Sequence, residues 1–517
     1  MRAVAWRTGA VAAFALAIVA SYGCTSLPPL EPRNPTVALA GTGTTTMGQA
    51  IAPLAAAHPG RSGVVPLADG RDAFAARVLL ARGAERSLDV QYYIWRNDLT
   101  GVLTLDALRS AAARGVRVRL LLDDNNTAGF DPALLALDRE PNVEVRLFNP
   151  FALRRWRSLG YLTDFSRLNR RMHNKSFTAD NQVTIIGGRN IGDEYFGAAG
   201  DMLFVDLDVL AVGPVVPQVS RDFDRYWNSA SAYPVDMIAD SAGADPAGTL
   251  ERRAAAMRER PEAQRYLDAV RTSPFAKQLA QGRLPLEWNV TRLVSDDPAK
   301  VLGTAHPDAR MAVHLRTLLG EPKQQLDLVS PYFVPSKEAT QVFKDLAQAG
   351  TRVRILTNSL EATDVAAVHA GYAKWRRELL AAGVSLFELR RSWGPELPEK
   401  GQRRFGSSAA SLHAKTMGVD GRSIFIGSFN MDRRSIDLNT EMGLVIDSAV
   451  LAGQLDHTLD ETMPNRSYEV RLDKDGTLYW LEHGKRGVLR HDVEPGTTVW
   501  KRLAVGALSL LPIDWML

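Results

Sequence analysis

The sequence contains a single cysteine, Cys24, in 517 residues. A lone thiol permits no intrachain disulfide and no zinc site built from several thiolates. An excess of one charge is missing too: 62 Lys+Arg oppose 58 Asp+Glu, a net of +4. That balance does not mark a nucleic-acid binder, so any basic surface has to be local. The apolar run Ala10–Ala20 falls short of the ~20 residues needed to span a bilayer. Hydrophobic residues at 45% and charged residues at 23% are ordinary globular values and exclude a multi-span, collagenous or largely disordered chain. No Gly-x4-Gly-Lys-Ser/Thr, no His-Glu-x-x-His and no cysteine-histidine zinc pattern occurs, which removes P-loop and zincin chemistry. Gly187–Gly192 is glycine-rich but lacks dinucleotide-binding spacing.

What is present begins at the N-terminus. Arg2 and Arg7 precede the apolar run, and Ser21-Tyr22-Gly23-Cys24 follows it. A charged start, a short apolar segment and a small residue before the cleavage point form an export signal. The segment 1–23 resembles a bacterial lipoprotein signal, in which the following cysteine carries lipid. That resemblance implies a lipidated Cys24 and a chain held on the bacterial cell envelope, facing the periplasm. Residues 24–64, rich in Pro, Gly, Thr and Ala, are expected to be a tether.

The rest of the chain repeats itself. Leu88–Trp95 reads as a strand, Thr104–Arg114 as an amphipathic helix and Val116–Leu122 as a buried strand. The same order returns in Leu326–Pro335, Lys337–Gln348 and Thr351–Thr357. Arg114-Gly-Val-Arg-Val-Arg119 and Ala349-Gly-Thr-Arg-Val-Arg354 are nearly the same words. Alternating strands and helices imply βαβ units. The fold class is α/β: two similar halves at 65–228 and 305–450, each a mixed sheet flanked by helices. A charge-rich helical insert occupies 229–304 and a C-terminal extension 451–517.

The repeat carries chemistry. Met172-His-Asn-Lys-Ser-Phe-Thr-Ala-Asp180 precedes Val183-Thr-Ile-Ile-Gly-Gly-Arg-Asn190, and Leu412-His-Ala-Lys-Thr-Met-Gly-Val-Asp420 precedes Ile424-Phe-Ile-Gly-Ser-Phe-Asn430. Both the histidines and the asparagines are 240 positions apart (413 − 173 and 430 − 190). Residues i and i+2 of a strand share a face, so His173 projects with Lys175 and His413 with Lys415. Asp180 and Asp420 complete the motifs but fall at turn-like positions, where structural hydrogen bonding is expected instead of chemistry.

These are similar to the two His-x-Lys-x4-Asp motifs of the phospholipase D superfamily. Leu120–Thr127, Arg170–Lys175, Thr357–Asp364 and Leu508–Leu517 resemble its bacterial cardiolipin synthase branch. The resemblance implies two halves packed face to face about a pseudo-twofold axis, with one shared active site. It implies His173 as nucleophile, forming a phosphohistidine, and His413 as acid and base; sequence symmetry alone leaves that order open. Lys175, Lys415, Asn190, Asn430 and Ser428 are expected to hold the phosphate, although Gly188 stands where the second half has Ser428. Paired ammonium groups supply what a metal often supplies, so neither metal nor cofactor is expected. Each imidazole needs a partner on its other nitrogen. Glu441 resembles the family's acidic partner, and Asp206 or Asp208 is its counterpart. Asp123, Asp124 and His369 are second-rank candidates.

The expected partners are phospholipids, with phosphatidylglycerol as acceptor and phosphatidylethanolamine among possible donors, and a membrane surface; no obligatory nucleic acid or protein is implied. Hydrolysis by the same machinery, and an exported nuclease, are alternatives. Phe151–Arg171 bears on that choice, because it interleaves six arginines with Phe151, Trp156, Tyr161 and Phe165. Such a stretch suits anionic lipid headgroups or single-stranded nucleic acid. The apolar Leu503–Leu517 suits packing or membrane contact.

Overall fold

The computed structural model describes residues 26–31, 34–198, 203–240, 244–391, 409–484 and 487–509. Cys24, the segment read as a signal, and the end of the apolar C-terminus lie outside the described residues.

The first half is built on a nine-stranded sheet. Its strands are β1 Ser62–Leu67, β2 Ser87–Tyr92, β3 Arg117–Asp123, β4 Val143–Phe148 and β5 Ser176–Ala179. They are joined by β6 Val183–Gly187, β8 Asp208–Val212, β9 Ala232–Pro234 and β10 Glu287–Asn289, in the order β10-β1-β8-β6-β5-β2-β3-β4-β9. The second half holds β11 Thr291–Ser295, β12 Gln325–Val329, β13 Arg352–Asn358, β14 Ser385–Leu389, β16 Thr416–Val419, β17 Ser423–Gly427 and β18 Met442–Ile446. Three further strands, β19 Ser467–Leu472, β20 Leu478–Gly484 and β21 Gly487–His491, complete the order β11-β18-β17-β16-β12-β13-β14-β19-β20-β21. The series β8-β6-β5-β2-β3-β4 and β18-β17-β16-β12-β13-β14 are therefore equivalent. β2-β3-β4 and β12-β13-β14 are parallel cores. Helices cover such strands, which explains apolar runs like Leu120-Leu121-Leu122, all buried.

The two sheets pack face to face. Val64, Ile186, Val209 and Ala211 of the first meet Ile424, Ile426, Leu444 and Ile446 of the second. A third, two-stranded sheet ties the halves: β7 Leu203–Val205 runs parallel to β15 Ala410–Leu412.

Three segments differ from their sequence reading. The expected tether is anchored from Thr36 onward. Thr36 exchanges hydrogen bonds with Asn228, and its hydroxyl accepts from the Trp227 indole at 2.9 Å. Thr46–Ala56 is a helix whose N-cap Thr45 accepts from Gly48 N–H. The insert contains helices Thr249–Arg258, Pro261–Thr272 and Pro274–Ala280, which add Leu250, Tyr266 and Ala276 to the first half's core. Its end then crosses between halves, since β10 edges the first sheet and β11 the second with only Val290 between. Past residue 450 the chain is integral as well: β19–β21 extend the second sheet.

Candidate active site

Each motif histidine stands where a chain segment of one half crosses the other. Met172 bridges Thr440 and His173 N–H donates to the Thr440 carbonyl at 2.9 Å. Leu412 pairs with Val205, and His413 N–H donates to the Val205 carbonyl at 2.8 Å. The strand ends behind them match. Asp123, closing β3, accepts from Met172 N–H at 2.8 Å, and Asn358, closing β13, accepts from Leu412 N–H at 2.8 Å. Two residues on, Lys175 Nζ donates to the His173 carbonyl at 2.6 Å and Lys415 Nζ to that of His413. The lysines are 1% exposed and both histidines 7%, so chiefly the imidazoles reach the cleft.

The histidines exchange carboxylates across the halves. His173 Nδ1 lies 2.8 Å from Glu441 Oε2 of the second half, and His413 Nδ1 lies 2.5 Å from Asp206 Oδ2 of the first. With Nδ1–H directed at a carboxylate, the Nε2 lone pair of each ring is left for chemistry. Strand register settles the choice between the two aspartates. Gly187 pairs with Asp208 where Gly427 pairs with Gly443, so Asp206 is the counterpart of Glu441. Asp208 is not a histidine partner: it holds the buried Arg77 at 2.8 Å and accepts from Arg189 N–H.

Other expected contacts are also reassigned. Ser428 does not face a phosphate; it is fully buried, donates to Glu441 Oε2 at 2.5 Å and accepts from Met442 N–H. Gly188 is glycine because a Cβ there would collide with the Asp206 carboxylate, so the halves use different means to seat their acids. Asn190 is spent internally, its Oδ1 accepting from Ile94 N–H and its Nδ2 donating to Tyr195 Oη, each at 3.0 Å. Asn430 differs: its Oδ1 has no hydrogen-bond partner among the described residues. Asp180 and Asp420 sit in left-handed turns at φ 50° and 51°. Asp180 accepts from Glu85, Arg86 and Ser87 N–H, and Asp420 from Lys323, Gln324 and Gln325 N–H, which ties each motif hairpin to the start of its antiparallel neighbour, β2 or β12.

Of the second-rank candidates, Asp123 accepts from Met172 and Asn125 N–H and pairs with buried Arg171, Asp124 binds Arg154 and Arg157, and His369 is buried against Arg376 and Glu494. The arginine stretch is mostly spent on internal partners. Arg154 and Arg157 reach Asp124, Arg167 reaches Asp164, Arg170 the Lys300 carbonyl, and Arg171 the Asn149 carbonyl. Several wall residues went unrecognised in the sequence. Tyr93 packs edge-on to His173 with centroids 5.0 Å apart, and Tyr195 and Phe204 flank His413 at 5.2 and 5.1 Å. Ser435 donates to Glu441 Oε1 at 2.7 Å.

Comparison with known proteins agrees with the two-half fold. A family described as cardiolipin synthase, PLD-like domain, matches twice, at residues 80–227 and 315–463. The chain belongs to this family. Cardiolipin synthase C of Escherichia coli K12 is 49% identical over 91% of this chain and 99% of its own length. An uncharacterized protein of Helicobacter pylori 26695 is 31% identical over 91% of this chain and 92% of its own. Phosphatidylserine synthase of Haemophilus influenzae Rd KW20 shares the fold, with a TM-score of 0.55, 14% identity, and coverage of 91% of this chain and all of that one.

In this cardiolipin synthase-family site the two histidines are electrostatically unequal. Burial, then Lys175 and Lys415, drives His173 well below the usual imidazole range. Burial and Lys415 lower His413 as well, but Asp206 opposes them. Their acids diverge. Burial raises Glu441 to about 7 against the pull of Lys175. Burial pushes Asp206 up too, yet His413 and Lys415 outweigh it and hold the carboxyl well below its ordinary range. Burial lowers Lys415 to about 8 and takes Lys175 well below the usual lysine range. A bound phosphodiester anion would favour the charged form of both lysines.

Proposed function

We propose that the protein is a phosphatidyltransferase of the cardiolipin synthase C type, moving a phosphatidyl group from one phospholipid to a hydroxyl of phosphatidylglycerol. The observation that carries this reading is the reciprocal pairing of His173 with Glu441 and of His413 with Asp206. It presents two unequal imidazoles beside two buried ammonium groups in a single cleft.

His173, the ring kept neutral, attacks phosphorus through Nε2. The bond from phosphorus to the donor's headgroup oxygen breaks, and His413 gives that oxygen its proton. The product is a phosphatidyl group on His173 and a free headgroup alcohol. His413 then takes the proton of the acceptor hydroxyl as that oxygen attacks phosphorus, and His173 leaves. Splitting one displacement into two is the usual gain of a nucleophile. Lys175, Lys415 and the Asn430 amide face the non-bridging oxygens and offset charge developing there. Phosphatidylethanolamine serves as donor in this reading, and water competes with phosphatidylglycerol as acceptor. The E. coli relative's identity and near-complete coverage support lipid over nucleic acid as substrate class.

Residues 1–23 act as an export signal and Cys24 as the lipidated anchor on the periplasmic side of the cell envelope. The order Arg2, Arg7, apolar run, Gly23, Cys24 supports this placement. Radiolabelled palmitate should enter the wild-type chain and not its Cys24→Ser form.

The activity test is a lipid product assay. Detergent-purified protein receives labelled phosphatidylglycerol with and without phosphatidylethanolamine. Cardiolipin is the expected product; phosphatidic acid alone, or DNA cleavage with untouched lipid, would refute the transferase.

A further inference from the structure

The helix Arg157–Thr163 leaves an apolar face uncovered beside the catalytic cleft. Its N-cap Trp156 is 67% exposed, Leu159 48% and Leu162 81%, and Phe165 just beyond is 37% exposed. Trp156, Leu159 and Leu162 recur every three residues and so share one side of the helix. The opposite side is seated: Gly160 meets Leu168 and Phe151, and Tyr161 packs edge-on to Phe151. Tyr161 Oη then donates to Asn125 Oδ1 at 2.7 Å, Asn125 Nδ2 lies 3.3 Å from Tyr93 Oη, and the Tyr93 ring abuts His173. The uncovered face is thus linked to the cleft by a short chain of contacts.

The second half repeats the arrangement with unrelated sequence. Val499–Ser509 is a helix whose Val505 packs on Leu360 and Ala370, while Lys501 Nζ donates to the Leu360 carbonyl. Leu360 follows the end of β13, where Asn358 holds Leu412, just as Asn125 follows the end of β3, where Asp123 holds Met172. Here too one side stays bare: Val499 is 58% exposed, Trp500 80% and Leu503 58%. Each half therefore carries a short helix with a bare tryptophan-leucine face at the carboxyl end of its parallel strands, the end that holds the histidine.

We propose that these two helices dock the cleft onto an anionic lipid monolayer, an inference that rests on the phospholipid reading of the site. Leucine and valine insert among acyl chains and tryptophan settles at the headgroup level. One charge at the rim fits: Arg155, beside Trp156, is the exposed member of the six arginines, whereas Lys501 and Arg502, beside Trp500, are half-buried and donate to the Leu360 and Thr497 carbonyls. Single-stranded nucleic acid fits poorly, because it needs stacked rings and several free cations, whereas the exposed side chains are mostly aliphatic and the other five arginines are engaged or half-buried. No helix among the described residues is long and apolar enough to cross a membrane, so the contact lies in the interface plane. The docked molecule takes both donor and acceptor from one leaflet, without lifting either lipid into water.

The test compares the full chain with a Leu162→Glu/Leu503→Glu variant on two substrate forms. On phosphatidylethanolamine vesicles carrying phosphatidylglycerol, turnover and co-sedimentation should fall about tenfold or more. On short-chain phospholipids kept monomeric, turnover should be unchanged. Equal loss on both forms, or no loss on vesicles, would overturn the proposal. A measurement on folded wild type stands beside it: brominated acyl chains should quench tryptophan emission, and Trp156→Phe/Trp500→Phe should abolish that quenching. Persistence of the quenching in that variant, or single-stranded oligonucleotide displacing the protein from vesicles, would also overturn it. Quenching without turnover of any lipid would leave docking intact and remove the transferase reading instead.

Discussion

Glu441 lies 2.8 Å from the Nδ1 of His173, although the two residues belong to different halves of the repeat. Asp206 returns the arrangement to His413. Neither half can orient its own histidine, so a half separated from its partner would lack an oriented imidazole. In this arrangement each half supplies the acid for the other's histidine.

The two neighbouring aspartates should separate cleanly on mutation. Asp206→Asn is expected to lower kcat about 10²- to 10⁴-fold with little change in thermal midpoint, because it removes the anion that orients and supports the His413 cation. Asp208→Asn should do the reverse, costing about 3 kcal/mol of stability by depriving buried Arg77 of its partner. Steady-state kinetics and calorimetry on the two variants check this.

Ser428→Ala tests whether the hydroxyl serves the carboxylate or the substrate. Its bond to Glu441 predicts about a tenfold fall in kcat with KM unmoved. A rise in KM at constant kcat would return Ser428 to the phosphate.

The pH profile follows from the shifted groups. His173 must be neutral and is held well below 6.5, so its own protonation falls below that value. Glu441, which must be ionised to accept Nδ1–H, is raised to about 7 by burial and sets the acid limb of kcat/KM there. His413, Lys175 and Lys415 must carry protons. Their contribution is present at low pH and is lost as pH rises through His413 and Lys175, both held below their ordinary values, and through Lys415 near 8. The alkaline limb should therefore steepen above about pH 8. Loss of the Asp206 anion should move the His413 step to lower pH. A profile flat to alkaline pH would contradict these assignments.

Asp180→Ala should act on stability. It strands the N–H groups of Glu85, Arg86 and Ser87 at the start of β2, an expected cost of about 3 kcal/mol. Denaturant unfolding measures it, and activity per folded molecule should change little.

Much of this was legible in the sequence for a physical reason. Strand periodicity and the shared offset of 240 are local patterns that survive duplication, so both motifs and the repeated strand-helix-strand units could be read directly. Asp206 could not be told from Asp208, because they are two residues apart and only the fold shows that Asp208 opens β8 opposite Gly187 while Asp206 falls in the link between β7 and β8. Ser428 and Asn190 were misjudged because their roles depend on partners already present, Glu441 for one and Ile94 and Tyr195 for the other. Arg154 and Arg157 looked free because their partners Asp124 and Asp131 precede them by more than twenty residues. β10 and β11 escaped notice because each is short and only half-buried, with its partners in different sheets.

The central claim is that two halves make one site with unequal histidines. It is tested most directly by quenching a single turnover of phosphatidyl-labelled donor in base, digesting the protein and mapping the label. The account predicts phosphatidyl label on the peptide containing His173, none on His413, and none at all in the Asp206→Asn protein on the same timescale. Label on His413, or turnover without any covalent adduct, would contradict it.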